Sequence, residues 1–136
     1  MRMTYLSGLL GLLCSGIALA DGQGSSTPAP IVTPLTTQKL PEYPGKEVLM
    51  LTVEYPPGGV DRVHRHDAHA FVYVLEGSIV MGVAGREPVT LKPGEIFHEG
   101  PNDVHTIGRN ASNDKPARFV VFLLKDVDKP AVIPVD

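Results

Sequence analysis

Glycine and proline divide this chain into short apolar segments, and their spacing limits what it can fold into. The 136 residues include 14 Gly and 13 Pro, residue types that favour turns and interrupt helices. Between them lie segments rich in β-branched, aromatic and aliphatic residues, at residues 47–55, 70–75 and 118–124. Beyond residue 20, no segment keeps a helical apolar period over three turns. Short strands at near-regular spacing predict an all-β sandwich or barrel. The sequence also predicts one strand at residues 60–66 and a hairpin between residues 70–75 and residues 78–83.

The first 20 residues have the composition of a secretory signal peptide. Residues 1–5 carry one positive charge, and residues 6–20 are almost wholly apolar. Ala18-Leu19-Ala20 forms a small-x-small cleavage site before Asp21. We therefore expect a periplasmic or secreted protein, with no membrane association once the signal has been removed.

The rest of the chain is long enough for one domain with one core. The sequence predicts a signal peptide at residues 1–20, a flexible linker with an edge strand at residues 21–40, and a β-barrel domain at residues 41–136. The single cysteine, Cys14, lies in the predicted signal, which excludes a disulfide scaffold and a cysteine-based enzyme. The 12 basic and 15 acidic residues form no basic patch, so nucleic acid and anionic lipid are not expected partners.

Three of the five histidines lie close together, at His64, His66 and His69. Side chains two apart on a strand point to the same face, so His64 and His66 can hold one ion between them. His69 follows a predicted turn at residues 67–68, which leaves its direction open. His105 begins a later predicted strand. Imidazole suits Zn, Cu, Fe and Ni, and three such ligands leave coordination positions open, so the pattern predicts a transition-metal site of catalytic type.

These residues resemble the two motifs of the cupin family. The chain reads G-x5-H-x-H-x3-A-x6-G at residues 58–77, where the family reads G-x5-H-x-H-x3-E-x6-G. It reads G-x5-G-x-N-x2-H at residues 94–105, where the family reads G-x5-P-x-G-x2-H-x3-N. The resemblance implies a small jelly-roll β-barrel that holds Fe, Mn, Ni, Zn or Cu. It also implies that the ligands of this divalent metal are His64, His66 and His105.

The chain departs from the family pattern at the metal-binding carboxylate. Ala70 stands in the Glu position and cannot be a ligand. His69, one place earlier, could be a fourth ligand and would give an all-nitrogen site suited to Cu or Zn. Glu99 could instead be a ligand or a general acid/base beside the metal. Arg109 stands in the position of the closing Asn, with Asn110 one residue late.

The resemblance implies a metal-dependent enzyme acting on a small organic molecule, with oxygenase, isomerase and lyase chemistry all open. The alternative is a non-catalytic module that binds a small ligand or senses a metal, with Ala70 as the sign of lost catalysis. By family analogy we also expect a homodimer, formed through residues 31–40 or residues 131–135.

Overall fold

The computed structural model describes residues 26–136, so the predicted signal peptide and the start of the linker lie outside the described residues. The described part of the chain contains ten β-strands and no helix, so it has none that could span a membrane. The strands are β1 (Ile31–Lys39), β2 (Lys46–Tyr55), β3 (His64–Arg65), β4 (Ala68–Glu76), β5 (Ile79–Val83), β6 (Val89–Leu91), β7 (Ile96–Glu99), β8 (Val104–Asn110), β9 (Ala117–Asp126) and β10 (Ile133–Pro134).

The strands form two antiparallel sheets of five strands each. Sheet I has the order β1-β2-β9-β4-β7, and sheet II has the order β10-β3-β8-β5-β6. Their buried apolar side chains form one core cluster. The all-β prediction is confirmed, and the arrangement fits a jelly roll. The predicted barrel is not closed, because no strand pairing among the described residues joins the two sheets.

Two inner strands of sheet I, β4 and β9, alternate between buried and more exposed side chains. In β4, Ala70, Val72 and Val74 are buried, whereas Phe71 and Tyr73 are 46% and 48% exposed. This two-residue period is the signature of a strand with one face on a core. It explains why the segments at 47–55, 70–75 and 118–124 were recognisable as strands, since β2, β4 and β9 contain them.

Two details of the strand prediction are wrong. Residues 60–66 were predicted as one strand, but only His64–Arg65 pair as β3, and Val60 makes an isolated bridge. A hairpin was also predicted between residues 70–75 and 78–83. The strands there, β4 and β5, lie in different sheets. Local sequence favours a turn at Gly77, but it does not specify which strand the returning segment pairs with.

The described part of the predicted linker is attached to the domain. The Val60 N–H donates to the Pro28 carbonyl oxygen at 3.2 Å. β1 then pairs with β2 at the edge of sheet I, the position that Pro34 favours. All nine residues of β1 are exposed. β10, within the other segment considered for dimerisation, pairs with β3 of the same chain. The homodimer stays a prediction.

A bulge in β8 determines which of its side chains point inward. Val83 pairs with His105 while Gly82 pairs with Ile107, so Thr106 has no counterpart on β5. An extra residue of this kind reverses the inward and outward alternation beyond it. For this reason Asn110 is buried and its neighbour at position 109 is exposed.

The buried Asn110 amide holds together the loops beside the site. Its Nδ2 donates to the carbonyl oxygens of Tyr55, Pro56 and Lys115 at 3.1, 3.0 and 2.8 Å. Its Oδ1 accepts from the Ser112 N–H at 2.8 Å. Asn110, which stands one residue after the position of the family's closing Asn, thus links the end of β2 to the loop between β8 and β9 by hydrogen bonds.

We predict that Gly77→Ala lowers the free energy of unfolding by about 3 kcal/mol in urea denaturation. Gly77 has a φ of 70°, and an added Cβ would lie 2.6 Å from the Pro116 carbonyl oxygen. Gly85 is the matched control, because its φ is 79° and a Cβ there meets nothing within 4 Å. Gly85→Ala should therefore cost only about 1 kcal/mol, for the backbone conformation alone. Equal losses of stability in the two variants would show that Gly77 is not tightly packed against Pro116.

Candidate metal centre

Three buried imidazole rings meet between the sheets, as the motif predicted. His64 on β3 lies directly opposite His105 on β8, with their ring centroids 4.8 Å apart. The ring of His66 is centred 4.9 Å from that of His64. Nε2 of His64 lies 3.4 Å from Nδ1 of His105. The structure therefore brings His64, His66 and His105 into one cluster.

Backbone carbonyl groups orient two of these rings. Nδ1 of His64 donates to the Arg62 carbonyl oxygen at 2.8 Å, and Nδ1 of His66 donates to that of Ala131. A carbonyl oxygen can only accept, so in the neutral rings the proton is on Nδ1 and the lone pair is on Nε2. Metal-binding histidines are held in this way, with one nitrogen fixed by the protein and the other free to coordinate.

A carboxylate reaches the histidines from the strand next to Ala70. Glu99 on β7 is the direct cross-strand partner of Ala70 on β4, and both are buried. Glu99 Oε2 lies 3.7 Å from Nε2 of His66, and Oε1 lies 3.7 Å from Nδ1 of His105. The small Ala70 side chain thus faces the position where Glu99 enters the cluster.

His69 is not part of this cluster. The predicted turn at residues 67–68 is wrong, because β4 begins at Ala68, and strand alternation therefore turns His69 away from the buried Ala70. Its exposed ring stacks on His98, with Nδ1 of His69 3.1 Å from Nε2 of His98. The geometry does not support His69 as the fourth ligand.

Asp61 and Tyr55 complete the polar cluster, and neither was predicted from the sequence. Tyr55 is fully buried, and its hydroxyl donates to Oδ2 of Asp61. One potential ligand atom from each of Asp61, His64 and His105 lies within 4.8 Å of the others. Asp61 precedes β3 in a loop, where strand alternation gives no direction. The available signal was an acidic residue three places before the first motif histidine.

Gly108 makes room for this part of the cluster. A Cβ at this position would lie 2.8 Å from Oδ2 of Asp61, 2.8 Å from the Tyr55 hydroxyl and 2.9 Å from Cε1 of His105. The Asp61 N–H also donates to the Gly108 carbonyl oxygen at 2.7 Å. A side chain at position 108 would therefore displace three functional groups at once.

Burial shifts the protonation of the cluster towards neutral forms. It raises the pKa of Glu99 to about 7, and the nearby Asp103 and Asp61 add to this effect. It lowers the pKa of His105 to about 4, with a further contribution from His64. Burial also lowers the pKa of His66 and raises that of Asp61. Each direction is that expected when a charged form is removed from water.

The donor set fits a divalent transition metal. Oε2 of Glu99 and Nε2 of His105 are buried and have no hydrogen-bond partner among the described residues. Unpaired buried polar atoms are unfavourable unless a ligand or ion satisfies them. Imidazole nitrogens with one or two carboxylates are typical donors for such ions. The cluster also lines a cavity of about 680 Å³, which leaves space for a further molecule.

Comparison with known families agrees with the fold. The family model of the cupin domain matches residues 51–123, which is more than half of the chain. The chain belongs to the cupin family. No curated protein matches its sequence.

Solved structures show the same fold at low sequence identity. A cupin-like protein from Thermotoga maritima has a TM-score of 0.62 at 19% identity, over 78% of this chain and 75% of that chain. An oxalate oxidase in complex with the substrate analogue glycolate has a TM-score of 0.61 at 23% identity, over 82% and 57%. The DMSP lyase DddQ from Ruegeria pomeroyi has a TM-score of 0.56 at 23% identity, over 63% of this cupin. The cupin spans only 42% of the lyase.

We predict that Glu99→Gln changes how the stability of the metal-free protein depends on pH. Burial raises the folded-state pKa of Glu99 from 4.5 to about 7, so ionisation opposes folding as pH rises through this range. That pH-dependent term amounts to about 3 kcal/mol. The free energy of unfolding of the variant, relative to the wild type, should therefore increase by about 3 kcal/mol between pH 4.5 and pH 7.

Urea denaturation at a series of pH values measures this difference. His105 contributes in the opposite direction, since its lowered pKa makes stability fall as pH drops from 6.5 to about 4. This contribution is the same in both proteins, so it cancels when their free energies of unfolding are subtracted. Glu87→Gln, at an exposed glutamate, is the control and should give a flat difference. A flat difference for Glu99→Gln as well would contradict the desolvation of its carboxyl.

Proposed function

We propose that this cupin is an exported, metal-dependent enzyme that acts on a small organic molecule. The proposal depends on one observation, the convergence of three imidazole rings and the Glu99 carboxyl inside a cavity. Polar groups of this kind in an otherwise apolar pocket are typical of catalytic sites.

The metal would be held by His64, His66, His105 and Glu99, with Asp61 within reach of two of the histidines. Zn, Fe, Mn, Ni and Cu all accept such donors. When bound, the ion would supply Lewis-acid polarisation and open coordination positions for a substrate. The reaction class, whether oxygenase, isomerase or lyase, is left open by this donor set.

The protein's own groups have separate tasks in this proposal. The carbonyl groups that accept from Nδ1 of His64 and His66 hold the two rings with Nε2 free. As an alternative to binding the metal, Glu99 can take up or release a proton at Oε2, which has no hydrogen-bond partner among the described residues. Tyr55 donates to Asp61 and so holds that carboxyl beside His64 and His105. The apolar walls exclude water from the reacting atoms.

One observation favours a second candidate, a non-catalytic cupin that binds a small ligand or a metal. Ala70 replaces the family's metal-binding carboxylate, and loss of a ligand is a simple route to loss of catalysis. The position of Glu99 directly opposite Ala70 weakens this alternative, because a carboxylate is still present at the cluster.

We predict that the purified wild-type protein contains about one transition-metal ion per chain, measured by inductively coupled plasma mass spectrometry. His105→Ala should lower the metal affinity at least about 100-fold, because it removes a ligand from the centre of the cluster. His98→Ala is the matched control, since His98 lies on the outer face of sheet I. Absence of a stoichiometric metal in the wild type would contradict the proposed function.

Moving the carboxylate from position 99 to position 70 tests the role of Glu99 in the same metal-affinity measurement. Glu99→Ala should weaken metal binding, and the double variant Ala70→Glu/Glu99→Ala should restore part of it. Because positions 70 and 99 are paired across β4 and β7, the new carboxylate would enter the cluster from the adjacent strand. If Glu99→Ala leaves the affinity unchanged, the three histidines bind the ion without Glu99.

The proposed export makes a separate prediction about residues 1–20, which lie outside the described residues. N-terminal sequencing of protein recovered from the periplasm or the medium should begin at Asp21, because Ala18-Leu19-Ala20 is the expected cleavage site. Recovery of protein that retains Met1 in the cytoplasm would contradict export. The metal measurement does not depend on this outcome.

A further inference from the structure

The walls of the cavity are mostly hydrocarbon. Seven apolar side chains from both sheets form its lining around the polar cluster. They are Leu51, Val53, Val72, Met81, Phe119, Val121 and Leu123. The volume of about 680 Å³ lies within the range of pockets that enclose a small organic ligand. Most of the surface that such a ligand presents to this pocket must therefore contact carbon.

The cavity offers little to a charged ligand. Among its described lining residues, Arg62 is the only lysine or arginine, and its side chain is exposed. The acidic residues of the lining, Asp61 and Glu99, offer an anion no positive charge. A phosphate or carboxylate carried into the apolar part would lose its hydration without gaining a cationic partner there.

The polar groups of the cavity are gathered in one place. Glu99 lies 3.7 Å from both His66 and His105, and Asp61 and Tyr55 adjoin the same cluster. A ligand that fills the cavity can therefore direct one of its own polar groups at this cluster, where it finds hydrogen-bond partners. The rest of the ligand lies against the apolar walls.

We propose that the ligand is an uncharged, largely hydrocarbon molecule with a single hydroxyl or carbonyl group directed at the histidine and Glu99 cluster. Its role as a substrate depends on the proposed function, whereas its binding to the cavity does not. Sugar phosphates, nucleotides and dicarboxylates are poor ligands for the apolar part of the cavity, because their charged groups would lose hydration there without gaining a cationic partner.

Displacement of an uncharged fluorescent probe tests this inference on the mature protein as purified. N-phenyl-1-naphthylamine is bound first and is then displaced by 1-alkanols from butanol to octanol. Each added methylene should lower the displacing concentration about fourfold, as expected for transfer of a CH₂ group from water into an apolar site. Octanoate, the matched anion, should need a concentration at least about tenfold higher than 1-octanol.

Neighbouring residues of β9 provide matched variants that locate the probe. Val121 lines the cavity, whereas Val120 points to the outer face of sheet I. Val121→Phe should raise the probe dissociation constant at least about tenfold by filling the cavity, and Val120→Phe should change it less than about twofold. If Val121→Phe does not fold, Val72→Phe fills the same cavity from β4.

The outcomes separate this inference from the proposed function. Lack of probe binding, equal effects of the two β9 variants, or octanoate displacing as well as 1-octanol would overturn the inference. Preferential octanoate binding that is lost in Arg62→Gln would instead assign an anion-binding role to the cavity mouth. Selective displacement by alkanols from a protein without stoichiometric metal would retain the ligand class and refute the metal-dependent enzyme.

Discussion

The antiparallel pairing of β3 with β8 is the interaction on which the site depends. It consists of only two residue pairs, yet it sets His64 directly opposite His105. These histidines are far apart in the sequence, and backbone hydrogen bonds determine their relative position more firmly than a loop could. The bulge that follows His105 then turns Gly108 and Asn110 inward. One ladder therefore fixes both the imidazole cluster and the space beside it.

Desolvation is the second property that shapes the site. The fold places two carboxyls, a phenol and three imidazoles in an apolar cavity. Burial there raises the pKa of Glu99 and lowers the pKa of His105, so it disfavours the charged forms of these two groups. Within residues 26–136, one buried atom of Glu99 and one of His105 have no hydrogen-bond partner. A sequence selected for stability alone would fill this volume with apolar side chains. The retention of ionisable groups there is consistent with a functional demand that outweighs their cost.

The sequence was sufficient for the strands with a strong two-residue period and for the three motif histidines. β4 and β9 were recognisable because their alternating side chains have different environments on the two faces. Pairing between distant segments carries no such local signal, so the hairpin of β4 with β5 was wrongly predicted. The direction of His69 was left open because a turn was predicted at residues 67–68, where β4 in fact begins. Asp61 was missed because a loop residue has no periodicity that assigns its direction.

The division of the cluster between the two sheets has a consequence for the cell. Sheet II supplies His64 and His105, whereas sheet I supplies Glu99. An ion held by both sheets would act as a cross-link across the interior, and unfolding would require its release. Mass action would then stabilise the folded protein by about 2.7 kcal/mol when the free ion concentration is 100 times its dissociation constant. Resistance to proteolysis would therefore rise and fall with the metal supply. The abundance of the protein would in this way report metal scarcity.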